Sequence, residues 1–84
     1  MKFRHINQGT CSFAVSFDLE DGIVRNIFFE GGCAGNTQGL AQLAEGMPAE
    51  TIIERLQGVN CGFKGTSCPD QLARALREAL AQMA

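Results

Sequence analysis

The chain contains no tryptophan and no tyrosine, only two prolines and a single histidine, His5. With one histidine, in a segment that reads as an edge strand, catalysis by a cysteine–histidine pair has little support and His5 reads as a surface residue. Lysine and arginine are nowhere clustered and the net charge is −2. The field that draws a protein to phosphate backbones or anionic lipid is therefore missing, and neither nucleic acid nor membrane is expected as a partner. No apolar run approaches the length of a membrane span, and the opening MKFRHINQGT has basic residues without an apolar stretch behind them. Neither a membrane anchor nor a signal peptide is expected, which points to the cytoplasm, where structural thiols stay reduced. Also absent are a C-x2-C pair, the strong mark of a zinc ribbon, and a phosphate-binding loop, since GGCAGNTQG lacks the lysine and the spacing. No self-contained catalytic residues are expected.

What is present is an ordinary globular composition, 45% hydrophobic and 19% charged, in 84 residues. The reading is one domain, 1–84, near the size at which a single apolar core supplies only a few kcal/mol of net stability. A staple of some kind is worth seeking.

The segment CSFAVSFDLEDGIVRNIFFEGG reads as a β-hairpin, with apolar Phe13, Val15, Phe17 and Leu19 alternating with polar Ser12, Ser16 and Asp18. A three-residue loop Glu20-Asp21-Gly22 would pair Leu19 with Ile23, Val15 with Ile27 and Phe13 with Phe29. A two-residue Asp21-Gly22 turn would mix the faces and is not preferred. Extending the same ladder sets Cys11 opposite Gly31, within about two residues of Cys33. NTQGLAQLAEG reads as a helix capped by Asn36 or Thr37, with Leu40 and Leu43 on its apolar face and Gly46 as its stop. In PAETIIERLQG, Pro48 suits the first turn, Ile52, Ile53 and Leu56 share a face, and Gly58 ends the helix. The last helix carries Leu72, Leu76, Leu80 and Met83 on one stripe, with Pro69 and Asp70 in its first turn and Ser67 or Cys68 as cap. MKFRHI adds an edge strand, which leaves both a monomer and a homodimer open. The predicted class is α+β: a small antiparallel sheet packed by two or three helices.

Four cysteines stand at intervals of 22, 28 and 7 residues: Cys11, Cys33, Cys61 and Cys68. Cys33 lies in a glycine-rich turn, Cys61 in a glycine-flanked loop and Cys68 at a helix start, where negative charge and hence the thiolate is favoured. Two readings remain open from spacing alone: metal ligands converging in three dimensions, or a thiol redox pair. A third treats the cysteines as small apolar core residues. Four thiolates would suit tetrahedral Zn²⁺, with an iron–sulfur cluster competing for the same donors. The four-thiolate site requires the last helix to start near the open end of the hairpin.

The run Thr66-Ser67-Cys68-Pro69-Asp70 in TSCPDQLA, with GGCAGN upstream and NCG between, resembles the TSCPD domain family over nearly the whole chain. That family includes small stand-alone proteins and a C-terminal module of adenosylcobalamin-dependent ribonucleotide reductases, whose cysteines are thought to bind zinc or relay thiols. The resemblance implies a metal-binding or thiol-relay role for Cys33, Cys61 and Cys68 and a reductase or another protein as partner, and the hairpin register adds Cys11 as the fourth ligand. Any reductase activity would belong to the larger enzyme. The order of hairpin, cysteine, helix, cysteine and cysteine-plus-helix is also similar to iron–sulfur cluster scaffold proteins. There an aspartate and a histidine stand where this chain has Gly35 and Ser67, so that resemblance stops short of cluster assembly and transfer.

Overall fold

The computed structural model describes residues 1–7, 12–31, 34–59 and 68–83, apart from the side chains of 34–36 and 83. Strands β1 (Lys2–Ile6), β2 (Ser12–Glu20) and β3 (Ile23–Gly31) form one antiparallel sheet in the order β1-β2-β3. Helices α1 (Ala34–Ala44), α2 (Ala49–Leu56) and α3 (Cys68–Met83) follow. The fold is α+β, with the N-terminal strand at one edge of the sheet as expected.

The hairpin register differs from the expected one. Asp21 and Gly22 form a two-residue turn with positive φ at both residues, 52° and 78°, the mirror-image turn whose twist suits a hairpin. It pairs Glu20 with Ile23, Leu19 with Val24 and Asp18 with Arg25. Farther along, Ser16 faces Phe28 and Val15 faces Phe29. Between these blocks β3 carries one extra residue, and Asn26 there takes a left-handed φ of 55°. Asparagine tolerates that conformation better than other side chains, so a bulge forms at low cost. The bulge switches the inward residues of β3 from Val24 to Ile27 and Phe29, all buried. It removes the mixing of faces that argued against the short turn.

A second irregularity lies between Ser12, which pairs with Gly31, and Ala14, which pairs with Glu30. Here the extra residue is Phe13 on β2. Its side chain is 59% exposed, whereas Ser12 is 1% exposed. The alternation therefore fails at this end: Phe13 leaves the core and Ser12 turns inward.

The buried sheet face presents Val15, Phe17, Leu19, Val24, Ile27 and Phe29 to Ile52 of α2 and to Leu72, Ala75, Leu76 and Ala79 of α3. Phe3 of β1 stacks on Phe17 with ring centroids 5.8 Å apart. α3 buries more than the expected leucine stripe, since Ala73, Ala75 and Ala79 are also covered, as suits a helix packed on both the sheet and α2. α1 begins earlier than expected, so Thr37 lies within it and is buried rather than capping. Its inward face is Thr37, Leu40, Ala41 and Ala44, while Leu43 is 76% exposed.

The connector after α1 closes the turn end of the hairpin. Gly46 N–H donates to Val24 O, Val24 N–H to Met47 O, and Ala49 N–H to Gly22 O. Gly46 and Gly58, with φ of 78° and 85°, end α1 and α2 as expected. Glycine accepts that conformation without the Cβ penalty. α1 thus runs from the open end of the hairpin to its turn, and α2 starts at the turn. Among the described residues no helix is long and apolar enough to cross a membrane.

Candidate metal centre

α3 starts beside the first residue of β2. Ser12 Oγ lies 3.0 Å from Cys68 Sγ, and Ser12 is in turn paired with Gly31 at the end of β3. The last helix therefore begins at the open end of the hairpin, the condition on which the four-thiolate reading depended. Cys68 itself is half-buried and packs against the core.

The last residue of the β1 arm joins the same end. Asn7 Nδ2 donates to Ser12 Oγ at 2.9 Å, and Asn7 N–H donates to Phe13 O at 2.8 Å. Asn7 is 7% exposed, and among the described residues its Oδ1 has no hydrogen-bond partner. Neither Asn7 nor Ser12 was singled out from the sequence as a site residue. Asn7 carried no pattern at all, and the even-numbered position of Ser12 made it look solvent-facing.

Asp70 has a structural role. Its side chain is 3% exposed, with Arg74 Nε 3.0 Å from Oδ2. Gly58 N–H donates to Asp70 Oδ1 at 2.7 Å, which ties the end of α2 to the first turn of α3. A carboxylate there also complements the positive end of the helix dipole. Pro69 fits the same turn, where a missing N–H costs nothing. The Cys68-Pro69-Asp70 run thus supplies a sulfur, a helix start and an anchor to the preceding helix.

His5 is not a free surface residue. Its side chain is 17% exposed, with Nδ1 3.1 Å from Glu78 Oε2 and Nε2 3.2 Å from Gln71 Oε1. It fastens the edge strand to α3, one helical stretch away from Cys68. Arg74 and Glu78 take part in these contacts, and Glu45 accepts the Asn26 N–H at 2.8 Å.

Cys11, Cys33 and Cys61 lie outside the described residues, as do the expected pairing of Cys11, the turn holding Cys33, the loop holding Cys61 and the Ser67 cap. Gly31 pairs with Ser12 rather than with Cys11. Among the described residues no three histidine, cysteine, aspartate or glutamate side chains converge as a metal site would require. Around the open end, β3 and α1 flank a cleft of about 390 Å³ lined by Ile27, Phe28, Phe29, Gly31, Thr37, Gln38 and Ala41.

Neither the curated proteins nor the solved structures contain a match to this chain. The family model described as "TSCPD domain" matches residues 1–80. That span takes in all three strands, all three helices but the last residues of α3, and every cysteine. The chain belongs to the TSCPD domain family.

Proposed function

We propose that this protein is a cysteine-cluster metal-binding module in which Cys33, Cys61 and Cys68 are thiolate ligands and Cys11 is the fourth. The observation that carries the reading is the 3.0 Å contact between Ser12 and Cys68 at the open end of the hairpin. It fixes one of the four sulfurs beside the chain segments that lead to the others. Cys11 is covalently next to Ser12, and Cys33 lies between Gly31 and Ala34, where β3 ends and α1 begins. Cys61 follows Gly58, whose N–H is held by Asp70 in the first turn of α3, and three residues of chain span at most about 10 Å. α1 and α3 both start at this end, and two helix N-termini favour the negative charge of thiolates.

The donor chemistry fits the ion. Four soft thiolates suit tetrahedral Zn²⁺, which would act as the missing staple of a small core by linking the hairpin to the helices. An iron–sulfur cluster would use the same donors. We further propose that the module serves a larger partner, in keeping with the reductase-linked members of the family, rather than catalysing a reaction by itself. Removal of the ion should lower the melting temperature sharply, because structural zinc contributes folding free energy directly, about 10–16 kcal/mol in zinc-finger peptides.

The test is elemental analysis and an absorption spectrum on protein purified anaerobically without added metal, followed by melting before and after chelation. One zinc per chain, no visible absorption and a lower melting point after chelation are expected. Iron with sulfide and a brown colour would replace zinc by a cluster in the same site. Absence of metal, with free thiols that oxidise in pairs, would overturn the proposal in favour of a thiol–disulfide relay that delivers electrons to a reductase.

A further inference from the structure

The connector around Met47 joins α1 to α2, and the two helices leave a small groove between them. Leu40, Ala44, Met47, Ile52 and Leu56 line it, and the exposed side chains of Leu43 and Arg55 stand at its rim. Leu43 is 76% exposed, so it continues the apolar lining outward onto the surface. We propose that this groove docks an acidic amphipathic helix of a partner protein, with an apolar side chain seated beside Leu43 and a carboxylate on Arg55. The inference rests on the reading that the module serves a larger partner, and it is independent of the metal.

Size, backbone and charge select this occupant. The cavity is about 120 Å³, whereas sites for small molecules and cofactors run to about 300–1,000 Å³. It has room for an aliphatic side chain or two and not for a cofactor or a lipid tail. The walls are helices, whose backbone groups are spent internally, and Met47 between them is also paired. Its N–H donates to Ala44 O at 3.1 Å, and its carbonyl accepts the Val24 N–H at 3.0 Å. An extended strand would find no ladder to join here, so the partner segment must satisfy its own backbone, as a helix does. Arg55 is the single charge among the lining residues, and among the described residues it enters no ion pair or hydrogen bond. In the last turn of α2 it complements the helix dipole while its guanidinium stays open to a carboxylate. A second copy fits poorly: a two-fold contact centred on the groove would set Arg55 against Arg55, with no acid in either lining to offset them.

The probes are two helical peptides of about 15 residues, identical except at one position beside a pair of leucines, which is glutamate in one and lysine in the other. Each is titrated into the isotope-labelled full chain and followed by NMR chemical shifts. The glutamate peptide should move the signals of Leu40, Leu43, Ile52 and Arg55, and the lysine peptide should bind about fivefold more weakly, the upper range for one exposed ion pair. Arg55→Gln should remove that preference, and Leu43→Ala should weaken both peptides about tenfold, roughly the worth of burying half a leucine side chain. Both positions are exposed, so both variants should keep the wild-type spectrum elsewhere. No shift at the groove with either peptide, or equal affinity for the two, would overturn the proposal. Decanoate taking the groove in place of the glutamate peptide would overturn it in favour of a free fatty acid. Shifts of the same signals on diluting the protein alone would overturn it in favour of a second copy. The probes need neither metal nor a reductase, so failure here would leave the metal centre and the larger-partner reading standing.

Discussion

Replacing Asp70 by alanine should cost the fold a large part of its stability, and the structure allows the loss to be worked out. The carboxylate is buried and accepts the Gly58 N–H at 2.7 Å, a hydrogen bond to a charged group of the kind worth about 1.5–3 kcal/mol. The Arg74 partner is 55% exposed, so solvent screening holds that ion pair to about 0.2–1 kcal/mol. A negative charge in the first turn of a 16-residue helix adds about 0.3–1 kcal/mol. The total is about 2–5 kcal/mol in a domain whose whole stability is of order 5–15. At about 4–8 °C per kcal/mol for a chain of this size, the melting temperature should fall by about 8–40 °C. Asp70→Asn keeps an acceptor for Gly58 and loses the charge, so it should cost about half as much, and Arg74→Ala less than about 1 kcal/mol. Urea unfolding followed by circular dichroism, with metal content held fixed, measures all three. An Asp70→Ala protein within about 0.5 kcal/mol of wild type, the range of ordinary surface changes, would refute the claim that this carboxylate joins α2 to α3.

Two further outcomes follow from burial and charge. Leu76→Ala, at a fully buried position, should destabilise by about 2–5 kcal/mol, whereas Leu43→Ala, at a side chain 76% exposed, should stay within about 0.5 kcal/mol; denaturant midpoints showing equal losses would contradict the orientation of α1. On the open sheet face Arg4 Nε and Nη2 bind the two Glu30 oxygens at 2.7 and 3.0 Å, and the hydrogen bonding from Arg4 holds the Glu30 carboxyl below its ordinary value. A lowered folded-state value contributes stability that is present above the unfolded carboxylate value, about 4.3, and is lost as pH falls through the folded one. The melting difference between wild type and Glu30→Gln should therefore shrink in acid and in high salt, and a difference that grew on acidification would reverse the assigned sign.

Much of the fold was legible because it follows from short-range chemistry. The Leu72–Leu76–Leu80 spacing, Pro48 and Pro69 at helix starts, and Gly46 and Gly58 at helix ends each act within a few residues, and the structure agrees with all of them. The hairpin register was misread because a local rule and a global one compete there. Turn chemistry selects two residues, and the core then needs a bulge to keep Val15 opposite Phe29. Asn26, an asparagine inside an apolar strand, was the available signal. Leu43 was misplaced because apolar character alone does not fix which side of a short helix faces inward. Ser12 was missed because its importance comes from contact with Cys68, 56 positions away, and Asn7 because its importance comes only through Ser12.

The sequence by itself determined the α+β class, the placement of the three helices, the edge strand and the family, all through periodicity, caps and the Thr66-Ser67-Cys68-Pro69-Asp70 run. Only the tertiary structure decided that α3 begins at the open end of the hairpin, that Phe13 leaves the core while Ser12 enters it, and that His5 and Asp70 join elements instead of facing solvent. The physical reason is one of range. Propensity and capping are settled within a turn of helix or a pair of strands, whereas a bulge, a buried hydroxyl or a carboxylate bridge is selected by whichever distant surface the chain packs against.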